Sequence, residues 1–312
     1  MHGRAPGAGS ATMGQASAPT WFTTPAEART RLAERGYVAD DALAMSVFLA
    51  IRMGRPLLLE GAPGVGKTLL AQVLGEVFDT EVIRLQCYEG LDLAQAAYEW
   101  NYPRQLLELQ ARRAGDHPVA TDGIFTETFL LRRPLLRAID ASNTRAPILL
   151  VDELDRSDEE FESFLLELLS DFQMTIPELG TVRARHRPVV VLTSNRTRDV
   201  HDALRRRCLY HWIDYPSFDK EVDIVVRRVP GLSDHVVRRI VAFTQRLRAE
   251  ELAKLPGVAE TVDWAEGLRA LGVADLEPAV VSATLGLVLK HHDDIETVRK
   301  DLLVKLLAAG AP

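Results

Sequence analysis

Eight consecutive residues, Gly61-Ala62-Pro63-Gly64-Val65-Gly66-Lys67-Thr68, carry the spacing of a phosphate cradle: glycines at the first and sixth positions and a Lys-Thr close. Glycines let a backbone wrap an anion so that successive N–H groups and the following helix N-terminus point at phosphate oxygens. In that loop Lys67 is placed to reach the β- and γ-phosphates and the Thr68 hydroxyl to bind Mg²⁺. Gly61 through Thr68, with Leu69 beside them, are the expected nucleotide-binding set. The apolar run PLLLE (56–60) before the loop and helical periodicity from Lys67 supply the strand and helix that the cradle needs.

Two further strand ends offer partners for a bound triphosphate. Ile148-Leu149-Leu150-Val151-Asp152-Glu153 is an apolar strand tipped by two carboxylates, which are costly to bury unless they face a cation or a reacting water. Asp152 suits the Mg²⁺ shell, and Glu153 suits the base that orients the attacking water. The run PVVVLTS (188–194) leads into Asn195, whose amide can bond both a γ-phosphate and a water. Ligands of α/β sheets gather at the carboxyl ends of strands, so the three ends are expected to meet. Arg205, Arg206 and Arg207 precede one more apolar run; spacing alone leaves them either a solvated helix end or a guanidinium that reaches the γ-phosphate held by a neighbouring subunit.

Positioning these groups requires a parallel sheet. Strand-like runs at 56–60, 81–86, 146–153, 188–194 and 209–215 alternate with helical stretches, the pattern of an α/β sandwich covered on both faces. Thr24-Pro25-Ala26-Glu27 starts a helix by its order of hydroxyl, proline and acid, and a second helix is expected from Asp40 to Met53-Gly54. Residues 98–123 interrupt the alternation and look like a loop over 113–123, whereas 172–184 read as a β-hairpin. After Pro216 only helical periodicity remains, broken at Pro230-Gly231, Pro256-Gly257 and Pro278. The expected division is a tail (1–22), an α/β core (23–216) and an all-helical C-terminal domain (217–312).

The P-loop, the Asp-Glu and Ser-Asn strand ends, the arginines before the last strand and the helical C-terminal region together resemble the AAA+ ATPases. The stretches LQCYEGLDLAQAAYEWNYPRQLL (85–107), DELDRSDEEFESFLLELLSDFQMTIPELGTV (152–182) and TSNRTRDVHDALRRRCLYHWIDYP (193–216) resemble the MoxR family, and closely its CoxD-like branch. That resemblance implies sheet order 5-1-4-3-2, a helical lid, ATP with Mg²⁺ as cofactors and a ring-shaped homo-oligomer, a hexamer. It further implies Lys67 and Thr68 as the Walker A pair, Asp152 and Glu153 as the Walker B pair, Asn195 as first sensor, and Arg207, with Arg206 as the nearer alternative, as arginine finger. The implied partners are a protein bearing a von Willebrand factor A domain and a metalloenzyme client of the carbon monoxide dehydrogenase type. In one place the chain departs from the family: the lid stretch Glu260-Thr261-Val262-Asp263-Trp264 lacks the arginine many relatives carry, leaving Arg269 or a residue of another subunit to substitute.

Composition narrows the alternatives. A net charge of −7 and the lack of a dense basic stripe disfavour nucleic acid, and only Arg183, Arg185 and Arg187 of the hairpin would serve a DNA motor. No apolar run approaches the roughly 20 residues of a membrane span, and no signal peptide is evident, so a cytoplasmic ATPase is expected. Cys87 and Cys208 read as small buried residues, and His291-His292-Asp293-Asp294 as a solvated helix end rather than a metal site. The acids Asp155, Asp158, Glu159, Glu160 and Glu162 read as a helix start favoured by its dipole. A metal chelatase motor shares the same active site; a small-molecule kinase is disfavoured by the Asp-Glu pair, and a nucleotide-gated binding module would be indifferent to Glu153.

Overall fold

The structure, a computed structural model, describes residues 21–114 and 123–308. Helix α1 (Pro25–Glu34) starts where its sequence signal lies: Thr24 Oγ1 accepts the N–H of Glu27 at 3.1 Å and Pro25 occupies the first turn. Helix α2 (Asp41–Met53) is capped by Asp40 and closed by Gly54 in the left-handed region at φ 62°. The expected tail of residues 1–22 is corrected at its end. Trp21 and Phe22 pack on the ring of Phe78 at centroid distances of 4.2 and 4.8 Å, so these two residues anchor the chain. The remainder of that expectation lies outside the described residues.

Strand β1 (Leu57–Gly61) feeds the P-loop and helix α3 (Lys67–Phe78), and β2 (Val82–Gln86) follows. The interruption expected at 98–123 is present as an insertion, longer than expected and folded outside the loop expected at 113–123. It comprises α4 (Leu93–Ala96), β3 (Tyr98–Trp100), α5 (Tyr102–Ala114) and β4 (Leu130–Arg132), with β3 and β4 paired antiparallel from Tyr98–Arg132 to Trp100–Leu130. Arg113 and Ala114 belong to α5, and residues 115–122 of the expected loop lie outside the described residues. The chain then returns through α6 (Pro134–Ala138) to β5 (Ile148–Asp152), α7 (Glu159–Asp171), a hairpin of β6 (Gln173–Ile176) and β7 (Gly180–Arg183), β8 (Val189–Ser194), α8 (Asp202–Arg207) and β9 (Leu209–Ile213).

The five-stranded sheet has order β2-β5-β8-β1-β9 with all pairs parallel, the order expected from the sequence. Successive side chains of a strand point to opposite faces, and the cores divide accordingly. Leu58, Leu149, Val151, Val190 and Leu192 join the cluster beneath α6, α7 and α8, whereas Leu57, Leu59, Ile148, Leu150 and Val191 join the one beneath α1, α2 and α3. Burial on both faces explains why these strands read as continuous apolar runs.

Beyond Ile213 the described chain is helical, as expected: α9 (Phe218–Arg228), α10 (Asp234–Leu247), α11 (Val258–Ala270), α12 (Pro278–Val288), α13 (His292–Thr297) and α14 (Leu303–Ala308). These helices bury a cluster of their own around Phe243 and Trp264, whose rings lie 5.2 Å apart. Beside it sits a buried ion pair. Glu221 accepts both Arg248 Nη1 and Nη2 at 2.7 Å, Arg248 Nε donates to the carbonyl of Pro256, and its guanidinium stacks on Tyr215 at 4.6 Å. The helix-end reading of residues 291–294 holds for His291, His292 and Asp293, exposed at the start of α13, but not for Asp294, which is buried and accepts the N–H groups of Ala253 and Lys254, tying a loop to α13. Because removing one partner strands a buried charge, Arg248→Met is expected to lower unfolding free energy by about 3–5 kcal/mol in urea titrations; a loss within experimental error would show that Glu221 is not held as a charge.

Candidate active site

Three strand ends and the lid close on one cleft of about 840 Å³. Lys67, Thr68, Leu69, Asp152, Glu153 and Asn195 all line it, as do Pro63 to Gly66. Gly61 and Ala62 lie behind the wall and take part through their carbonyls, which accept Lys67 Nζ at 2.8 Å each. Two glycines are dictated by sterics. A Cβ on Gly61 would sit 2.2 Å from the Ile213 carbonyl oxygen of β9, and Gly64, at φ +75°, has Gly257 of the lid 3.1 Å from where its Cβ would be.

Asp152 joins the elements. Its Oδ1 accepts the hydroxyls of Thr68 (2.8 Å) and Thr193 (2.6 Å), and its Oδ2 accepts Arg84 Nη2 at 2.5 Å from β2. A buried carboxylate beside a helix-start hydroxyl is the hard oxygen pair that an octahedral, water-retaining Mg²⁺ takes from a protein, with phosphate supplying the rest. Glu153 holds a left-handed backbone at φ 55°, uncommon for a non-glycine residue, as do Asp79, Phe172 and Arg196. Its N–H donates to Thr193 Oγ1 at 2.9 Å, and its carboxylate rests on Arg156 Nε at 3.1 Å. Asn195 stands one residue beyond β8, its N–H bonded to Asp155 Oδ1 at 3.1 Å.

Sequence reasoning missed several of these supports. Asp155, read as a helix-start acid, is buried and holds the loop after β8: besides Asn195 it accepts the Thr197 N–H (2.9 Å) and hydroxyl (2.6 Å). Burial raises its carboxyl, and the Thr197 and Asn195 donors outweigh that, leaving the pKa below the ordinary value. Glu162, from the same acidic set, is buried against Arg198 and the His201 N–H. Thr193 had no signal beyond the strand itself. Arg269 is corrected as the lid's substitute cation, because it lies exposed in the last turn of α11, away from the cleft. The lid cations that do line the cleft are Lys220, which bonds Asp40 at 2.8 Å, and Arg228.

The arginines of α8 lie outside the cleft and differ from one another. Arg205 Nη2 pairs with Glu60 Oε1 at 3.0 Å, and Arg207 Nη1 donates to the Leu166 carbonyl and the Ser170 hydroxyl. Arg206 is left with a solvent-facing pair to Asp202, its side chain 81% exposed. The two cysteines are free and buried, their thiols pushed up to about 12 by burial, which suits small core residues. Among the described residues no cluster of three metal-ligating side chains occurs and no helix is long and apolar enough to cross a membrane.

A parallel sheet with a P-loop after β1, acids after β5 and an amide after β8 defines a P-loop nucleoside triphosphatase. Residues 56–208 match the model of the AAA domain, dynein-related subfamily; the chain therefore carries an AAA+ ATPase domain and is an ATP-hydrolysing enzyme that uses ATP with Mg²⁺. Among solved structures the chain is similar to a Thermotoga maritima RuvB mutant (16% identity, 93% of this chain, 84% of that chain, TM-score 0.48). It is likewise similar to the Thermotoga maritima RuvB Holliday junction branch migration motor (16%, 91%, 83%, 0.44) and to a candidate ATPase of Cytophaga hutchinsonii (17%, 89%, 87%, 0.43). No curated protein matches the chain.

Burial lowers the Lys67 ammonium from 10.5 to about 8, against the opposing pull of Asp155, Asp152 and Glu153. Between these values the unfolded chain keeps the proton and the free folded protein sheds it, so this group's contribution to stability rises with pH across the window. A bound triphosphate favours the charged form, and ATP binding in that window is expected to take up a proton. Titration calorimetry in buffers of different ionisation enthalpy measures it; identical apparent enthalpies would contradict the assignment of Lys67 to the phosphates.

Proposed function

We propose that this AAA+ ATPase is a MoxR-type, CoxD-like remodelling machine: a hexameric ring that couples ATP hydrolysis to maturation of a metalloenzyme client, a molybdenum hydroxylase, together with a von Willebrand factor A domain partner. In this reading residues 23–216 are the motor core and 217–312 the lid. The observation that carries the motor half is the meeting of Lys67, Thr68, Asp152, Glu153 and Asn195 in one cleft. Lys67 exchanges the Gly61 and Ala62 carbonyls for β- and γ-phosphate oxygens. Thr68 and Asp152 would hold Mg²⁺, which when bound would supply positive charge beside the leaving diphosphate. Glu153 orients water for in-line attack at the γ-phosphorus and accepts its proton, and Asn195 bonds that water and the γ-phosphate.

Two observations support a protein client over nucleic acid. The insertion presents exposed apolar side chains, Tyr102, Leu106 and Leu107 on α5 and Leu131 on β4, outside the nucleotide cleft. Of the hairpin arginines, Arg187 is engaged over the Phe172 ring at 5.6 Å. The site is completed by an arginine of a neighbouring protomer, and exposure favours Arg206 over Arg207, whose guanidinium is already bonded to α7.

Glu153→Gln is expected to cut phosphate release by about 10²–10⁴-fold while fluorescent ATP analogues still bind; unchanged turnover would assign the base elsewhere. Specific activity of the wild type should climb with protein concentration and level off. Arg206→Ala should remove most of that climb, by about 10³-fold at the plateau, and Arg207→Ala much less. A rate independent of concentration in a protein shown by light scattering to be monomeric overturns the shared site.

A further inference from the structure

Glu60 is the last residue of β1 before the P-loop glycine and is 1% exposed. It shares the parity of Leu58 and therefore points to the sheet face covered by α7 and α8. Every other residue of β1 but Gly61 is a leucine, and packing alone would be served by one more. A carboxylate here costs desolvation that an apolar side chain avoids. Its partner is Arg205 of α8, with Nη2 to Oε1 at 3.0 Å and the guanidinium stacked on Tyr210 at 5.8 Å. Burial and then the neighbouring Glu60 carboxylate raise the Tyr210 phenol, consistent with a three-membered cluster.

The same last turn of α8 is held a second time from the start of β1. Arg55, just before β1, donates through Nε and Nη2 to the carbonyls of Arg207 (3.0 Å) and Arg206 (2.7 Å). Both ends of β1 thus grip the helix that presents Arg206, while Gly61, the residue after Glu60, offers its carbonyl to Lys67 Nζ. When Lys67 turns to phosphate, that carbonyl loses its donor, and the next side chain back along the strand is Glu60.

We infer that Glu60 is a positioning residue that acts through Arg205 to set the pose of α8, so that a protomer's own P-loop governs the arginine it presents to its neighbour. The inference rests on the shared-site reading above. Because the defect is in what a protomer gives rather than in its own cleft, it is curable by a neighbour. Glu60→Gln keeps the size and an acceptor while removing the charge. Alone, in the assembled state, this variant is expected to bind ATP as the wild type does and to turn over about 10- to 100-fold more slowly.

The test mixes full-length E60Q with increasing excess of E153Q, whose own sites are dead and whose α8 is intact, and reads phosphate release per E60Q protomer. The expected result is a several-fold rise toward the wild-type rate. A parallel mixture of E153Q with the Arg206→Ala, Arg207→Ala double variant monitors the shared site itself, and Arg205→Lys replaces E60Q should the latter fail to fold. A rise in the parallel mixture without one in the E60Q mixture overturns the role of Glu60 alone. No rise in either mixture overturns the shared site and this inference with it, and so, for this inference, does wild-type turnover by E60Q unmixed.

Discussion

One buried carboxylate organises the molecule's working end. Asp152 receives a hydroxyl from the start of α3, a hydroxyl from β8 and a guanidinium from β2, so three separately folded segments are registered against the tip of β5. A charge this buried is tolerated only when its lone pairs are filled. The sheet order supplies the means: β5 lies between β2 and β8, and β1 beyond β8 brings the P-loop alongside.

The support continues outward in the same manner. Thr193 takes the Glu153 N–H while donating to Asp152, so a single hydroxyl aligns both acids. Asp155 and Glu162 turn inward and grip the loop from Asn195 to His201, which places the amide beside the acids. Of what looks in the sequence like an acidic helix start, Asp158, Glu159 and Glu160 are exposed at the start of α7, as that reading expects, whereas Asp155 and Glu162 are buried anchors of that loop.

The lid is joined to the cradle by backbone as well as by charge. The Ala259 N–H at the start of α11 donates to the Gly64 carbonyl at 3.1 Å, and Lys220 of α9 bonds the Asp40 carboxylate that caps α2. Arg248 ties α9, the turn before α11 and Tyr215, between β9 and α9, into one unit. The helical C-terminal region is therefore held directly to the P-loop backbone, and its residues Lys220 and Arg228 line the cleft although the stretch 260–264 contains no arginine.

Much of this was legible in the residues. Glycine spacing, apolar strand runs, helix caps at Thr24 and Asp40 and the Pro-Gly breaks of the lid act over a few residues, so local physics suffices to place the P-loop, all five strands and the helices around them. The chain order of strands with acidic and amide tips also determined that Asp152, Glu153 and Asn195 would meet Lys67. Which of three adjacent arginines is exposed was not legible, since Arg205, Arg206 and Arg207 are chemically identical and differ only in what lies opposite: Glu60, the surface residue Asp202 and α7. The same holds for Asp155, Glu162, Thr193, Arg84 and Asp294. Sequence determines which groups exist and at what local spacing; tertiary structure alone decides which carboxylates are buried and partnered, because that depends on donors from segments tens of residues away.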